Sequence, residues 1–298
     1  MNLDTLEATF GDRLQRDVPL ASYTAARLGG PAEALLAVHN ADELAQAVRI
    51  LWAEALPFYI LGGGSNVLVS DAGLQAVVLL NRARRVHFDN AGVRAESGAN
   101  LGAIARQAAA RGLGGLEWAV NIPGTLGGAV FGNAGAHGGD IARQLQLAEI
   151  LHPEQGILHL TSADLGYGYR TSALKRGELA GIVLQATLRL QPAPHTEIQA
   201  RMAAFTAHRR QTQPPGASLG SMFKNPAGDY AGRLIEAAGL KGLQIGGAQI
   251  SPQHANFFIN TGQATASDIF ALIQQTRETV QQQFGITLEL EIELLGEF

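Results

Sequence analysis

Three consecutive glycines, Gly62 to Gly64, separate two short apolar runs and constrain the fold more than any other feature of this sequence. The segment from Tyr59 to Asp71 reads Y-I-L-G-G-G-S-N-V-L-V-S-D. Glycine tolerates positive φ and lets another group approach the backbone closely, and successive N–H groups in such a turn can bind an anion. The flanking runs predict a strand, a loop and a second strand. Both a phosphate cradle and a tight hairpin without a ligand fit this pattern.

The setting of these glycines excludes the commoner nucleotide-binding fingerprints. A dinucleotide-binding βαβ motif needs a helix after the glycines, and a P-loop needs Gly-Lys followed by Ser or Thr. Here the apolar run Val67 to Val69 follows instead. Any phosphate is therefore expected to bind backbone N–H groups of a loop between strands, without a basic side chain from the loop.

A second glycine-rich segment, Gly114 to Asp140, carries almost only small side chains. Such a run is either mobile surface or backbone that lies closely against a ligand. Pro123 and the apolar residues Ile122 and Val130 argue against mobility. Because an ordered glycine-rich segment loses much backbone entropy, another interaction must compensate. We favour contact with a ligand.

Composition narrows the class of protein. Of 298 residues, 46% are hydrophobic and 16% charged, as in soluble globular domains. The net charge is −4 and the basic residues are scattered, so no nucleic-acid partner is expected. Cysteine is absent and the eight histidines have no ligand-like spacing, so no metal site is predicted. There is neither a signal-peptide pattern nor a membrane-length apolar run, which predicts a cytoplasmic protein with no membrane partner.

The order of elements predicts an α+β protein. A β-α-β unit leads to the triple glycine, through a helix that Asn40 caps, and Asn100 caps a second helix. The linker-like segment Gln191 to Pro194 predicts a boundary between a domain at 1–192 and one at 193–298. Alternating apolar and acidic residues predict a last strand from Ile286 to Leu295.

One catalytic motif is present but lies in the wrong context. Residues 216–220 match G-x-S-x-G, the nucleophile elbow of α/β-hydrolases, which needs a buried strand before it and a helix directly after it. Pro214 and Pro215 precede the motif, and the next predicted helix begins only after Pro226. A hydrolase acting through Ser218 is therefore the weakest alternative.

Three segments together resemble one family: L-G-G-G-S-N-V-L-V-S-D at 61–71, I-P-G-T-L-G-G-A-V-F-G-N-A-G-A at 122–136 and G-S-M-F-K-N-P at 220–226. They resemble the UDP-N-acetylenolpyruvoylglucosamine reductases, flavoenzymes that complete UDP-N-acetylmuramate in peptidoglycan synthesis. Further matches, including G-Y-R-T-S at 168–172 and L-E-L-E-I-E-L-L-G at 288–296, run in order over nearly the whole chain. Chance is a poor explanation for such a series.

The resemblance implies an FAD-binding domain of the vanillyl-alcohol-oxidase type, with two subdomains divided near 57–61, and then an α+β substrate-binding domain. It implies non-covalent FAD, NADPH as co-substrate, a monomer, and the shorter family form that lacks a substrate-covering insertion. It assigns the FAD contacts to two glycine-rich sets. They are Gly62, Gly63, Gly64, Ser65, Asn66 and Val67, and Pro123, Gly124, Thr125, Gly127, Gly128, Ala129, Asn133 and Ala134.

The implied reaction is the reduction of UDP-N-acetyl-3-O-(1-carboxyvinyl)-glucosamine, with hydride from flavin N5 to C3 of the enolpyruvyl group. Arg170 matches the cation that stabilises the carboxylate as negative charge develops. Ser221 matches the general acid that protonates C2, and Glu291 matches a group that assists the enol-like intermediate. The implied contacts to the UDP-sugar phosphates are Lys224, Asn225, Arg209 and Asn256.

Without the family resemblance, the three predicted catalytic residues could also have ordinary structural or surface roles. Arg170 could be a surface arginine, Ser221 a turn cap, and Glu291 one of three solvent-facing acids on an edge strand. An FAD-dependent alcohol or lactone oxidase or dehydrogenase, and a non-catalytic nucleotide-sugar binding protein, stay open as alternative functions. The chain departs from the family pattern at three positions near the predicted flavin pocket, Asn121, His137 and Ala173.

Overall fold

The structure is a computed structural model that describes residues 1–89 and 92–298. The described chain forms two compact units. The first unit comprises Met1–Gln15, Leu35–Gly63 and Val77–Arg209, and the second comprises Arg16–Ala34, Gly64–Ala76 and Arg210–Phe298. The last change of unit therefore follows Arg209, later in the chain than the linker-like segment at 191–194.

Helices and strands of the described residues are numbered in chain order. The helices are α1 (Asp4–Phe10), α2 (Ala41–Ala53), α3 (Leu101–Ala110), α4 (Leu126–Gly132), α5 (Ile141–Gln144), α6 (His195–Thr212), α7 (Ala231–Ala237) and α8 (Ala266–Phe284). The strands are β1 (Leu14–Pro19), β2 (Pro31–Val38), β3 (Phe58–Leu61), β4 (Val67–Val69), β5 (Leu74–Asn81), β6 (Val86–Phe88), β7 (Gly92–Glu96), β8 (Leu113–Gly114), β9 (Gly135–Ala136), β10 (Gly139–Asp140), β11 (Leu145–His152), β12 (Gly156–Leu160), β13 (Ile182–Arg189), β14 (Gln191–Pro192), β15 (Ala217–Ser221), β16 (Gln244–Ile245), β17 (Ala248–Ile250), β18 (Phe257–Asn260) and β19 (Glu293–Leu295).

The strands around the triple glycine follow the predicted pattern. One sheet has the order β1-β2-β5-β3, and β3 runs parallel to β5 with Phe58 opposite Val77 and Leu61 opposite Leu80. Helix α2 connects β2 to β3, and Asn40 Oδ1 accepts the Glu43 N–H at 2.8 Å to cap it. The loop after β3 leads directly into β4 without a helix, as the sequence predicts.

The core of the first unit lies on a five-stranded antiparallel sheet of order β12-β11-β13-β7-β6. Helices α3 and α4 bury their apolar side chains in this core, including Leu101, Ile104 and Val130, which are at most 1% exposed. Asn100 Oδ1 accepts the Ala103 N–H at 2.8 Å and so begins α3 where the sequence predicts.

The core of the second unit lies between helices α7 and α8 and an antiparallel sheet of order β15-β18-β17-β16. A capping box between Thr265 and Asp268 begins α8, which buries Ile269, Leu272 and other apolar residues. Separately, β19 runs parallel to β4, with Glu293 opposite Val67.

The predicted last strand from Ile286 to Leu295 is wrong in length, since only β19 is a regular strand. Before β19 the backbone makes separate hydrogen bonds, from Lys224 N–H to Glu289 O and from Glu291 N–H to Met222 O. The alternation of apolar and acidic residues indicates which side chains face the core, but it does not indicate how many residues pair with a neighbouring strand. Among the described residues, no helix is long and apolar enough to cross a bilayer.

Candidate active site

The two glycine-rich segments touch each other within the first unit. A Cβ added at Gly62 would lie 2.5 Å from Thr125 Oγ1, and one added at Gly63 would lie 2.9 Å from Gly124 Cα. Both separations are too short for a side chain, so part of the glycine requirement comes from this packing. Gly63 is nevertheless exposed, and Gly62 and Gly124 are half-buried, so another group can still approach these backbones closely.

Helix α4 exposes a backbone face without side chains. Thr125 caps the helix by accepting the Gly128 N–H. A Cβ at Gly127 would lie 2.8 Å from Ser97 Cβ, so this side of the helix is packed. A Cβ at Gly128 would have its nearest neighbour at 3.8 Å, and one at Gly132 would meet no atom within 4 Å. These two glycines lie one turn apart on one face, where a flat cofactor such as FAD would fill the space that side chains leave open.

The rest of the first loop lies in the second unit. Gly64 has φ +59°, and a Cβ there would lie 2.0 Å from Tyr23 O, so only glycine fits. The Asn66 side chain donates from Nδ2 to Glu291 O at 3.1 Å. Its amide therefore supports the Glu291 backbone. The Asn66 main-chain oxygen also accepts the Glu293 N–H, at 2.8 Å. The predicted FAD contacts of residues 64–67 stay a prediction.

A β-bulge orients Ser221 at the end of β15. The register with β18 shifts between Ser218 and Ser221, where Gly220 has φ +76°. Bulges bend a strand and change the direction of the side chains that follow. Ser221 is half-buried, and within residues 1–89 and 92–298 no hydrogen bond to its hydroxyl is found. A turn-capping role for this hydroxyl therefore has no support.

The structure brings the backbone of Glu291 next to that of Ser221 within the second unit. Glu291 N–H donates to Met222 O at 2.9 Å, and Phe223 and Leu290 form an isolated bridge. Glu291 is half-buried, whereas its neighbour Glu289 is exposed. The three acids of the predicted strand are thus not equivalent. Arg170 belongs to the first unit.

Asn256 supports the Ser221 segment from inside the second unit. Its Oδ1 accepts the Phe223 N–H at 2.9 Å, and its Nδ2 donates to Phe223 O at 2.8 Å. Its main-chain oxygen accepts the Met222 N–H at 2.8 Å. Because Asn256 is only 3% exposed, its burial gives no support to the predicted phosphate contact. Its hydrogen bonds fit a role in holding residues 221–223.

Lys224 and Asn225 follow this segment. Lys224 Nζ lies 3.3 Å from Glu289 Oε2 in an ion pair whose acidic side chain is 75% exposed. Asn225 Oδ1 accepts the Ala231 N–H at 3.1 Å at the start of α7. The lysine head is therefore held by an exposed partner that an anionic ligand could replace.

Arg170 lies in a tight turn of the first unit. Its Nη2 donates to Gly135 O at 2.6 Å, and its guanidinium carbon lies 5.2 Å from the centre of the Tyr169 ring. Its backbone has φ +55°, which is uncommon for a residue with a side chain. The half-buried guanidinium is thus held against the second glycine-rich segment.

Helix α6 carries a cluster of cationic and aromatic groups. The His137 ring stacks on the Phe205 ring with 4.3 Å between the ring centres, and it meets the His208 ring edge-on with 5.6 Å between the centres. Partial burial, and then the charges of His208 and Arg209, lower the pKa of His137. Burial also lowers the pKa of Arg209.

Two of the three family departures contact α6. Besides His137, Asn121 donates from Nδ2 to Thr206 Oγ1 at 2.7 Å. Ala173 is buried and donates its N–H to Leu165 O at 2.8 Å. Sequence reasoning also missed Tyr167 and Ser172, whose hydroxyls bond the Val130 and Phe131 carbonyls; their place beside Arg170 in the Y-R motif was the available signal.

Comparison with known proteins covers almost the whole chain. A family model described as FAD binding domain matches residues 32–161. A second, described as the C-terminal domain of UDP-N-acetylenolpyruvoylglucosamine reductase, matches residues 211–295. Together they confirm the predicted order of an FAD-binding domain followed by a reductase C-terminal domain.

Curated relatives and a solved structure agree with these matches. UDP-N-acetylenolpyruvoylglucosamine reductase 2 of Symbiobacterium thermophilum is 44% identical, over 95% of this chain and 92% of the relative. The reductase of Streptococcus pneumoniae strain 70585 is 42% identical, over 98% of this chain and 97% of the relative. The crystal structure of UDP-N-acetylenolpyruvylglucosamine reductase from Thermus caldophilus aligns with a TM-score of 0.83 at 39% identity, over 95% of this chain and 99% of that chain. The chain therefore belongs to the UDP-N-acetylenolpyruvoylglucosamine reductase family.

Proposed function

We propose that this chain is an FAD- and NADPH-dependent reductase that converts UDP-N-acetyl-3-O-(1-carboxyvinyl)-glucosamine into UDP-N-acetylmuramate. The observation that carries the proposal is similarity to named reductases over 95% of the chain, across both the FAD-binding and the C-terminal regions. The reaction would be a cytoplasmic step of peptidoglycan precursor synthesis and so serve cell shape and division. We expect the enzyme to act as a monomer.

Bound FAD would supply the redox chemistry, accepting hydride from NADPH and delivering hydride to C3 of the enolpyruvyl group. The bare face of α4 and the paired glycines at 62–63 and 124 fit such a cofactor. In this proposal the residues assigned to FAD hold it chiefly through backbone groups, because their side chains are small or already bonded. The protein itself must then manage charge and protons on the substrate.

Arg170 would bind the substrate carboxylate, into which negative charge spreads from C2. A guanidinium keeps its charge at any physiological pH and can bind a carboxylate through two hydrogen bonds. The hydrogen bond to Gly135 O restricts its position before substrate arrives. A cation that is already oriented stabilises developing charge with little reorganisation.

Ser221 would donate the proton to C2, with Glu291 assisting. The bulge at Gly220 sets the direction of the Ser221 side chain, and the Asn256 hydrogen bonds fix the residues that follow it. Glu291 is tied by its N–H to Met222 O, next to Ser221 in sequence. Its carboxyl group would stabilise the enol-like intermediate by hydrogen bonding or by sharing a proton.

Lys224, Asn225 and Arg209 would contact the phosphates of the UDP-sugar. Exposed ion pairs contribute little to stability, so Lys224 can exchange Glu289 for a phosphate at small cost. Within the part of the chain that the structure describes, no carboxylate lies within ion-pair distance of Arg209. Its half-buried charge would gain a counterion on binding substrate. Asn256 would act through the backbone of residues 222–223.

Spectroscopy and a coupled assay separate this function from the alternatives. The purified protein, reconstituted with FAD if necessary, should show a flavin spectrum and oxidise many equivalents of NADPH per flavin only when the enolpyruvyl sugar nucleotide is present. Oxidation of an alcohol or lactone without that nucleotide would indicate an oxidase or dehydrogenase. A protein that binds the sugar nucleotide but never binds FAD would be a non-catalytic binding protein and would refute the proposal.

A further inference from the structure

The turn that carries Arg170 is closed by its own backbone. Gly168 N–H donates to Thr171 O at 3.1 Å, and Thr171 N–H donates to Gly168 O at 3.3 Å. Tyr169 and Arg170 therefore occupy the two corner positions, and Arg170 takes the left-handed conformation. A residue with a Cβ rarely holds this conformation unless the surrounding structure fixes it.

Side chains attach this turn to the end of α4. The Tyr167 hydroxyl donates to Val130 O at 3.0 Å, and the fully buried Ser172 hydroxyl donates to Phe131 O at 2.6 Å. The last carbonyls of a helix have no partner within the helix. These two hydroxyls, one on each side of the turn in sequence, therefore anchor its ends to otherwise unpaired acceptors.

Asn133 makes the central contact. It ends α4 with φ +48° and is 6% exposed. Its Nδ2 donates to Gly168 O at 2.9 Å, and its Oδ1 accepts the Ala142 N–H at 3.0 Å. Both ends of the amide are thus bonded within the protein, and Gly168 O is the same oxygen that closes the Arg170 turn.

The same segment also holds the head of Arg170. Two residues after Asn133, Gly135 O accepts the hydrogen bond from Arg170 Nη2. Residues 133–135 therefore contact both the base of the turn and the guanidinium at its corner. Displacing the Gly168 carbonyl would move the Arg170 backbone relative to the acceptor of its own guanidinium.

We propose that Asn133 is a positioning residue for Arg170. Its side-chain amide fixes the Gly168 carbonyl, maintains the left-handed backbone of Arg170, and so directs the guanidinium toward the carboxylate of the substrate. This differs from the FAD contact that the resemblance assigns to Asn133. The inference rests on the proposed function only in taking Arg170 as the group that binds the carboxylate.

The informative substitution is Asn133→Asp. Aspartate has the same size, tolerates the left-handed conformation and can still accept the Ala142 N–H, but it cannot donate to Gly168 O. Asn81→Asp is a matched control, because Asn81 is 4% exposed, donates to Ser97 Oγ at 2.8 Å and accepts the Ala83 N–H at 3.1 Å. Both variants lose one buried donor, but only Asn133 contacts the Arg170 turn.

The readout is ligand affinity, measured by calorimetry on FAD-loaded protein of equal flavin content. UDP-N-acetylmuramate carries the carboxylate and UDP-N-acetylglucosamine lacks it. We expect N133D to lower the affinity for UDP-N-acetylmuramate by about tenfold, the effect of losing one well-placed charged contact. Its affinity for UDP-N-acetylglucosamine should stay within about twofold of the wild-type value. N81D should leave the ratio of the two affinities unchanged. In an Arg170→Ala background, N133D should have no further effect on that ratio.

The possible failures are distinguishable. The inference is overturned, while the proposed function stands, if N133D lowers the affinities for both ligands equally or lowers neither. The same holds if its effect on the affinity ratio adds fully to that of Arg170→Ala. If Arg170→Ala itself does not change the ratio, the assignment of the carboxylate to Arg170 fails, and the inference fails with it. If N133D does not fold, Asn133→Gly tests the same point, because glycine adopts the left-handed conformation without a side-chain donor.

Discussion

Replacing Asn256 by alanine should destabilise the second unit through the backbone of Phe223. The substitution removes the acceptor for Phe223 N–H and the donor to Phe223 O, at 2.9 and 2.8 Å. Phe223 is 1% exposed, so water reaches neither group easily. A buried polar group without a partner costs about 1–3 kcal/mol. Allowing for relaxation, we expect the free energy of unfolding to fall by about 3 kcal/mol.

Urea unfolding of FAD-loaded protein measures this change. Gln253→Ala is a suitable control, because its Nε2 makes one exposed hydrogen bond, to Gln211 O at 3.0 Å. Its loss should cost at most about 0.5 kcal/mol. If N256A loses less than about 1 kcal/mol while its KM for the sugar nucleotide rises, then Asn256 contacts the substrate directly and the account of its buried amide is refuted.

Three further predictions test the cofactor site, pH dependence and core. Gly62→Ala places a methyl group 2.5 Å from Thr125 Oγ1 and should weaken FAD binding at least about tenfold. Gly132→Ala meets no atom within 4 Å, so it should stabilise the FAD-free protein by up to about 1 kcal/mol and yet weaken FAD binding. Fluorescence titrations that give either variant the FAD affinity of the wild-type protein would contradict the prediction for that variant. Burial lowers the pKa of His254 below its ordinary value of 6.5, and its Nδ1 accepts the Asn256 N–H. Because the folded protein disfavours a protonated His254, stability that is present above pH 6.5 should be lost as the pH falls. In thermal melts between about pH 7 and 5, His254→Leu should make this loss of stability smaller, and an unchanged pH dependence would contradict the prediction. In the described residues Thr276 Oγ1 is buried without a hydrogen bond, so Thr276→Val should raise the free energy of unfolding by about 1 kcal/mol, and a loss would point to an unseen partner.

Sequence reasoning predicted local structure well where side-chain chemistry dictates it. Asn40 and Asn100 cap the helices expected of them, and β3 and β4 flank the triple glycine without a helix between them. These features depend on residues within a few positions of each other. They can therefore be read from sequence without knowledge of tertiary contacts.

The features that sequence did not predict depend on distant partners. Helix α4 contains three glycines in seven residues, so propensity opposes it; the Thr125 cap and burial of Leu126 and Val130 outweigh that preference. The contact between Asn133 and Gly168 joins residues 35 positions apart. The burial of the Asn256 amide could not be predicted either, because its partner Phe223 lies 33 positions away in the sequence. The site residues implied by family resemblance are thus supported by side chains that only the fold reveals.

Anaerobic stopped-flow spectroscopy of Ser221→Ala tests most directly whether Ser221 protonates the substrate after the flavin has been reduced. The variant should bind FAD and be reduced by NADPH at nearly the wild-type rate. Reoxidation of its flavin by the enolpyruvyl sugar nucleotide should then be slower by about 100-fold or more, the usual contribution of a general acid. Wild-type reoxidation in the variant, or equal loss in both half-reactions, would contradict the account.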